Sequence, residues 1–140
     1  MTCKETTELF YLAFAVWREA RGETSDGQVA VAFSILDRVK NHRWWGSTVD
    51  QVVTQPWQYS SLTDPRDPQL AKSWPRVGDT SWQKVFAVCQ QVMSGSSTNP
   101  VPDADSYHDT SIQPPKWAKH PKCVFVGQVG HLLFYNTKLT

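Results

Sequence analysis

The first amphipathic run of the chain ends in WREARGE, residues 17–23, and this stretch places a carboxyl group, Glu19, at the end of a predicted helix. The apolar residues before it recur at helical intervals and predict one buried stripe, formed by Leu9, Leu12, Ala13, Val16 and Ala20. At roughly 100° per residue, Glu19 lies about 80° from the centre of that stripe, on its border. A border position lets a side chain emerge from the core into the wall of a cleft.

Three features of this stretch are expected to raise the pKa of Glu19. Gly22 predicts the end of the helix, so Glu19 lies in the last turn, where the helix dipole disfavours negative charge by about 0.3–1 kcal/mol. Glu23 adds a like charge if the helix continues, and burial beside the neighbouring tryptophan acts in the same direction. A carboxyl that stays partly protonated near neutrality suits a general acid. The alternative is an ordinary surface glutamate neutralised by Arg18 or Arg21.

Length and charge bound the class of protein. The 140 residues predict one domain, residues 1–140, with a hydrophobic core, and the net charge of +1 gives no electrostatic case for nucleic-acid binding. No apolar run is long enough to cross a bilayer, and the N-terminus lacks a signal pattern, so we expect neither stable membrane insertion nor a signal peptide. The three widely spaced cysteines predict free thiols.

Periodicity and capping signals predict a mostly helical α+β fold with a small β-hairpin. The predicted helices cover about residues 3–21, 28–39, 48–53 and 81–93. Three capping boxes begin helices, at Thr2/Glu5, Ser25/Gln28 and Thr48/Gln51, and Asp79 caps the last helix. Residues 55–60 are predicted to be extended, residues 61–80 mainly loop with at most one helical turn, and residues 99–117 irregular. The tail, residues 123–135, predicts two strands around a glycine-containing turn.

The chemistry that these residues support best is acid catalysis on a glycoside. None of the four histidines has a metal-ligand spacing, so we expect no metal and no cofactor. The best candidate ligand among them is His108, near Asp105 and Asp109. No serine or cysteine has a nucleophile signature. Glycoside cleavage needs a protonated carboxyl beside a cleft, groups that hold ring hydroxyls, and aromatic walls, which the seven tryptophans could supply.

Two clusters of amides, hydroxyls and aromatic rings could hold the sugar. The first is QPWQYS, residues 55–60, which contributes Gln55, Gln58, Tyr59 and Ser60, and the second is the pair Tyr107 and His108. The alternative for the first cluster is a rigid loop held in place by its aromatic residues.

Several stretches carry a family resemblance in their order along the chain. They are WREARGE at 17–23, GQVAVA at 27–32, LDRV at 36–39, QPWQYS at 55–60, SYH at 106–108, PKW at 115–117 and GHLLFY at 130–135. With them the chain resembles the SleB-type cell wall hydrolases, which include spore-cortex-lytic enzymes and phage endolysins. Departures from the family pattern are Asp37 where asparagine is usual, Tyr59 where phenylalanine is common, and DADS before Tyr107.

The resemblance implies a lysozyme-like single domain that cleaves the glycan strand between N-acetylmuramic acid and N-acetylglucosamine. The first glutamate of its EARGE motif is the catalytic acid, which carries over to Glu19. Glu23 and Gln28, from the matching stretches, join the two polar clusters as the predicted substrate-binding residues. The expected partner is the peptidoglycan glycan strand, bound by a monomer. The resemblance also implies a phage endolysin, made in the host cytoplasm and released through a holin-type pore to reach the wall in the periplasm.

The expected reaction is lytic transglycosylation, in which the nucleophile belongs to the substrate and no second carboxylate is needed. Glu23, Asp64 and Asp105 remain candidates for a second carboxylate, which would favour hydrolysis instead. Two further alternatives are an amidase that cuts the bond between glycan and peptide, and a sugar-binding module without catalysis.

Overall fold

The computed structural model describes residues 1–55, 58–69 and 73–138, with the side chain of Ser60 left out. It is about 47% helical and contains a small three-stranded antiparallel sheet, which confirms the mostly helical α+β class. The helices are α1 (Cys3–Ala20), α2 (Ser25–Lys40), α3 (Val49–Val53), α4 (Ser60–Thr63) and α5 (Thr80–Met93), with a 3₁₀ turn at Lys116–Lys119. The strands are β1 (Ser106–Asp109), β2 (Val124–Val129) and β3 (Leu132–Asn136). No helix in these ranges is long and apolar enough to cross a membrane.

The predicted capping box at the start of α1 is confirmed. The Glu5 backbone N–H donates to Thr2 Oγ1 at 3.1 Å, and the Thr2 N–H donates to Glu5 Oε2 at 2.7 Å. The side chains of Thr48 and Asp79 likewise cap α3 and α5, as predicted. The box at Thr48/Gln51 is not closed, because Gln51 Oε1 accepts from the Ser47 N–H rather than from that of Thr48. Each of these caps satisfies an N–H that has no partner inside its helix.

The predicted cap of α2 is wrong by one residue. Thr24, not Ser25, is the N-cap, and its Oγ1 accepts from the Gly27 N–H at 3.3 Å. Gln28 does not close a capping box, because its side-chain amide donates to the carbonyls of Ala20 and Glu23, at 3.2 and 3.3 Å. That amide fixes the short turn between α1 and α2 from inside the core.

The core lies between α1, α2, α3 and α5. The apolar stripe predicted for α1 is buried, with Leu12 and Val16 fully inaccessible to solvent. Ile35 of α2, Val85 of α5 and other apolar side chains fill the opposite side. This packing orients α1 so that the border of its stripe faces the loops and the sheet, and it therefore sets the direction of Glu19.

The sheet has the strand order β1-β3-β2, and every pairing is antiparallel. The predicted hairpin of β2 and β3 is confirmed, with Gly130 at φ +57° in its turn, in the left-handed region that favours glycine. The prediction of irregular structure over residues 99–117 is wrong at β1, where Tyr107 pairs with Phe134. The short helix α4 is the one helical turn expected after residue 60, but it already begins at Ser60, so the extended prediction for residues 55–60 is wrong at that residue. The extended prediction for Pro56 and Trp57 falls outside the described residues.

Asp37 gives a test of the fold through the pH dependence of stability. Burial raises the pKa of Asp37 from 3.8 to about 6, although Asn99 Nδ2 donates to its carboxylate at 3.3 Å. Between these two values the folded state binds more protons than the unfolded state, so the free energy of unfolding falls as pH rises. We expect Asp37→Asn to stabilise the protein by about 1 kcal/mol near pH 8, after allowing for solvent screening, and little near pH 4.

Urea unfolding at the two pH values measures this difference. Asp26→Asn, a substitution of an exposed acid on the same helix, is the control for the change in net charge. An equal gain for Asp37→Asn at both pH values would contradict the explanation.

Candidate active site

Glu19 lies in the last turn of α1, as predicted, and lines a cavity of about 300 Å³. Its side chain is only partly buried, because one side of the carboxyl group faces the cavity. The remaining sides are enclosed by α1 itself and by segments that approach from α4 and β1.

Two hydroxyl groups hold the carboxyl group of Glu19. Tyr107 donates from its phenol to Glu19 Oε1 at 2.9 Å, and Ser61 donates from Oγ to Glu19 Oε2 at 3.1 Å. Tyr107 belongs to β1 and Ser61 to α4, so three separate parts of the chain meet at this one group. Both oxygens therefore have fixed directions, which orients the acid toward the cavity.

The pKa of Glu19 is raised, and burial is the largest cause. The hydrogen bonds from Tyr107 and Ser61 act in the opposite direction, because they favour the charged carboxylate, and the nearby charge of Asp67 raises the pKa further. The expected like charge of Glu23 does not contribute. The helix ends at Ala20, and Glu23 Oε2 lies instead 3.6 Å from His131 Nδ1.

Neither neighbouring arginine forms an ion pair with Glu19 among the described residues. Arg18 donates to the backbone carbonyls of Ser61 and Ser73, and its guanidinium lies over two aromatic rings. Arg21 donates to Gln69 Oε1 at 2.8 Å. The alternative of an ordinary surface glutamate neutralised by its neighbours therefore does not describe this carboxyl.

The walls of the cavity are aromatic and polar. Besides Glu19, they consist of Arg38, Trp44, Trp45, Gln58, Tyr59, Ser106, Tyr107, Trp117 and Thr137. Trp44 is 48% exposed, so a flat face is accessible for stacking, whereas Trp45 is buried at 2%. The cavity thus offers an acid, several hydrogen-bonding groups and an aromatic surface, which is the combination that a sugar ring requires.

Four of the predicted site residues meet at this cavity: Glu19, Gln58, Tyr59 and Tyr107. Glu23, Gln28, Gln55 and His108 do not line it. Gln28 is fully buried at the turn between α1 and α2, and the side chain of Ser60 lies outside the description.

His108 lies behind the cavity wall. Its Nε2 is hydrogen-bonded to the Tyr135 hydroxyl at 3.0 Å, and its ring stacks on Tyr135 and meets the edge of Trp117. His108 therefore supports Trp117, which does line the cavity. None of the His, Cys, Asp and Glu side chains in the described ranges forms a group of three or more that could hold a metal ion.

Several residues of the site were missed from the sequence. They are Ser61, Arg38, Trp44, Trp45, Ser106, Trp117 and Thr137. Arg38, Ser106 and Trp117 belong to stretches that carry the family resemblance, and Ser61 directly follows another. The resemblance could therefore have identified these residues as site candidates. Trp44 and Trp45 stood out only as an aromatic pair, and nothing around Thr137 distinguished it.

A larger apolar groove, of about 550 Å³, lies along the first half of α1. Its walls include Phe10, Phe14, Trp74 and Trp82, and the one acidic side chain among its described residues, Asp79, caps α5. Since that carboxylate accepts hydrogen bonds from Ser81 and from helix N–H groups, the groove offers no acid for catalysis. The smaller cavity at Glu19 is therefore the candidate active site.

The hydrogen bond from Tyr107 predicts the pH dependence of activity. Tyr107→Phe removes a donor that favours the carboxylate, so the pKa of Glu19 is expected to rise further. Activity that requires the protonated acid would then persist to higher pH than in the wild type.

Rates of peptidoglycan clearing across pH measure this shift for Tyr107→Phe. The matched control is Tyr135→Phe, which removes a phenol hydroxyl that is bonded to His108 rather than to Glu19. If activity fell at the same alkaline pH in Tyr107→Phe as in the wild type, or if that pH shifted equally in both variants, the effect of the Tyr107 hydrogen bond on the pKa of Glu19 would be contradicted.

The fold and the site together define a mostly helical α+β protein whose aromatic-walled cavity has one acid among its described residues. Residues 22–135 match the Cell Wall Hydrolase family, so the chain belongs to that family, and this membership supports a peptidoglycan-acting enzyme. The match begins at Gly22, after Glu19, so the case for Glu19 rests on the geometry of the cavity. No curated protein and no solved structure matches the chain, and the lysozyme-like resemblance stays a prediction.

Proposed function

We propose that this protein cleaves the glycan strand of peptidoglycan between N-acetylmuramic acid and N-acetylglucosamine, as a lytic transglycosylase. The observation that carries the proposal is that Glu19 is the only carboxyl group among the described residues that line the cavity. One carboxyl group is sufficient for this reaction, because the nucleophile is a hydroxyl of the substrate.

Glu19 acts first as the acid and then as the base. Its protonated carboxyl group, favoured by burial, gives a proton to the glycosidic oxygen as the bond to C1 of muramic acid breaks. The resulting carboxylate then takes the proton of the muramic acid C6 hydroxyl, and O6 closes on C1 to form a 1,6-anhydro end. Tyr107 and Ser61 stabilise the carboxylate between the two steps, because both donate to its oxygens.

The hydrolytic alternative requires a second carboxylate, and the three candidates from the sequence are engaged elsewhere. Glu23 lies 3.6 Å from His131, Asp64 lies 3.1 Å from Arg66, and Asp105 lies 3.6 Å from Arg43. The charge of Asp67 raises the pKa of Glu19, so Asp67 is the further acid to test for this role, although it does not line the cavity and accepts from the Gln69 N–H at 2.9 Å. A hydrolytic muramidase that uses Glu19 and Asp67 is therefore the second candidate function.

Product analysis separates these two reactions. Purified peptidoglycan is digested with wild type, Glu19→Gln and Asp67→Asn, and the products are measured by mass spectrometry. Muropeptides lighter by one water than hydrolytic products, absent with Glu19→Gln and present with Asp67→Asn, would support transglycosylation. Reducing ends that disappear with Asp67→Asn would support the muramidase.

An amidase is the third outcome of the same digest. Freed peptides from an intact glycan would establish it and overturn both glycosidase mechanisms. The biological role, a phage endolysin released through a holin-type pore, stays a prediction that rests on the resemblance.

A further inference from the structure

Arg38 is a buried cation in the wall of the cavity. It lies on α2, is 6% exposed, and packs its guanidinium over the rings of Trp45 and Tyr59 at 4.9 and 5.4 Å. Its three hydrogen bonds reach neutral acceptors, which are the Asp105 carbonyl, Gln58 Oε1 and Ser106 Oγ. Since a guanidinium has five N–H groups, two are left for another acceptor.

The carboxylate nearest to Arg38 along these contacts is engaged by other donors. Asp105 accepts from the Thr137 backbone and hydroxyl and from Ser106, and lies 3.6 Å from Arg43. The guanidinium of Arg38 is linked to that carboxylate through Ser106, which accepts from Arg38 and donates to Asp105 Oδ1. Arg38 forms no ion pair with an acidic side chain within the described part of the chain.

A buried charge with no direct ion pair is costly, so the position of Arg38 in a cavity wall indicates a ligand of opposite charge. Gln58 and Ser106, two of the three hydrogen-bond partners of Arg38, also line the cavity. The guanidinium head is therefore held at the cavity surface in a fixed orientation. Its planar fork matches the geometry of a carboxylate.

We infer that Arg38 binds a carboxylate of the substrate, and that the enzyme prefers glycan strands whose muramic acid carries a free lactyl group. Where a stem peptide is attached, that lactyl carboxylate is an amide and has no charge. Strands without stem peptides would therefore be the better substrates. This inference rests on the proposed function, because it assumes that the cavity binds the glycan.

The test compares two forms of one substrate. Glycan strands stripped of stem peptides are used with free lactyl carboxylates, or after conversion of those carboxylates to methylamides. The values of kcat/KM are measured on both forms for wild type, Arg38→Gln, Arg38→Lys and Lys84→Gln. Lys84 is an exposed cation on α5 and controls for the loss of one positive charge.

Wild type and Lys84→Gln are expected to favour the carboxylate form by about tenfold or more, as a charged hydrogen bond allows. Arg38→Gln is expected to cleave both forms with equal kcat/KM. Arg38→Lys is expected to keep a preference for the carboxylate form that is smaller than that of the wild type. The ratio is taken within one protein, so a smaller folded fraction of a variant does not change it. If Arg38→Gln does not fold, the ratio of the wild-type kcat/KM values on the two forms alone decides whether the inference stands.

Equal cleavage of both forms by the wild type would overturn the inference and leave the proposed function intact. A preference retained in Arg38→Gln would also overturn it. Failure to cleave either form while intact peptidoglycan is still cleaved would overturn the inference alone. Failure on intact peptidoglycan as well would remove the proposed function, and the inference with it.

Discussion

Glu19→Gln is expected to reduce peptidoglycan cleavage by about 10²–10⁴-fold, the usual contribution of a general acid and base. The amide has the shape of the carboxyl group but cannot transfer the proton. Its oxygen can still accept from Tyr107 or Ser61, so the loss should arise from the chemistry rather than from a disturbed site.

Stability provides the internal control for Glu19→Gln. Because burial raises the pKa of Glu19, the folded state loses stability as pH rises above the ordinary value of 4.5, and the neutral amide avoids this loss. The variant should therefore unfold at the same temperature as the wild type or at a higher one, with a difference that grows with pH.

Glu23→Gln is the matched comparison within the same motif. Its carboxylate contacts His131 at the hairpin turn rather than the cavity, so most of the activity should remain. If Glu23→Gln were the inactive variant and Glu19→Gln retained activity within about tenfold, the roles of the two glutamates would have to be exchanged.

The parts of the fold that depend on local sequence could be predicted. The stripe that contains Leu12 and Val16, the cap at Thr2 and the glycine turn at Gly130 each follow from residues close together in the chain. Strand β1 could not be predicted in this way. Its four residues are ordered by pairing with β3, and that partner lies far along the sequence.

The same distinction holds for the site. The position of Glu19 at a helix end followed from periodicity, and burial was among the expected causes of its raised pKa. The expected effect of Glu23 is wrong, and the contribution from the charge of Asp67 was not expected. Ser61 and Tyr107 reach the carboxyl group from 42 and 88 residues away along the chain, a proximity that periodicity does not report.

Two adjacent tryptophans provide the second large prediction, because they share a wall of the cavity but differ in burial. Trp45 is 2% exposed, donates from Nε1 to the Arg38 carbonyl at 2.9 Å, and packs under two guanidinium groups. Trp45→Ala is expected to cost about 3–5 kcal/mol, through lost burial and the cavity left behind. That cost is a large part of the total stability of a typical domain.

Trp44→Ala should have the opposite profile, because Trp44 is 48% exposed and contacts Trp45 mainly through one ring edge. Its loss should change the free energy of unfolding by less than about 1 kcal/mol. The same substitution removes the accessible aromatic face of the cavity, so kcat/KM on glycan strands should fall by about tenfold. Urea unfolding and steady-state kinetics on both variants measure the two effects. Equal loss of stability in both variants would mean that Trp44 belongs to the core, and unchanged kinetics in Trp44→Ala would mean that the sugar does not stack there.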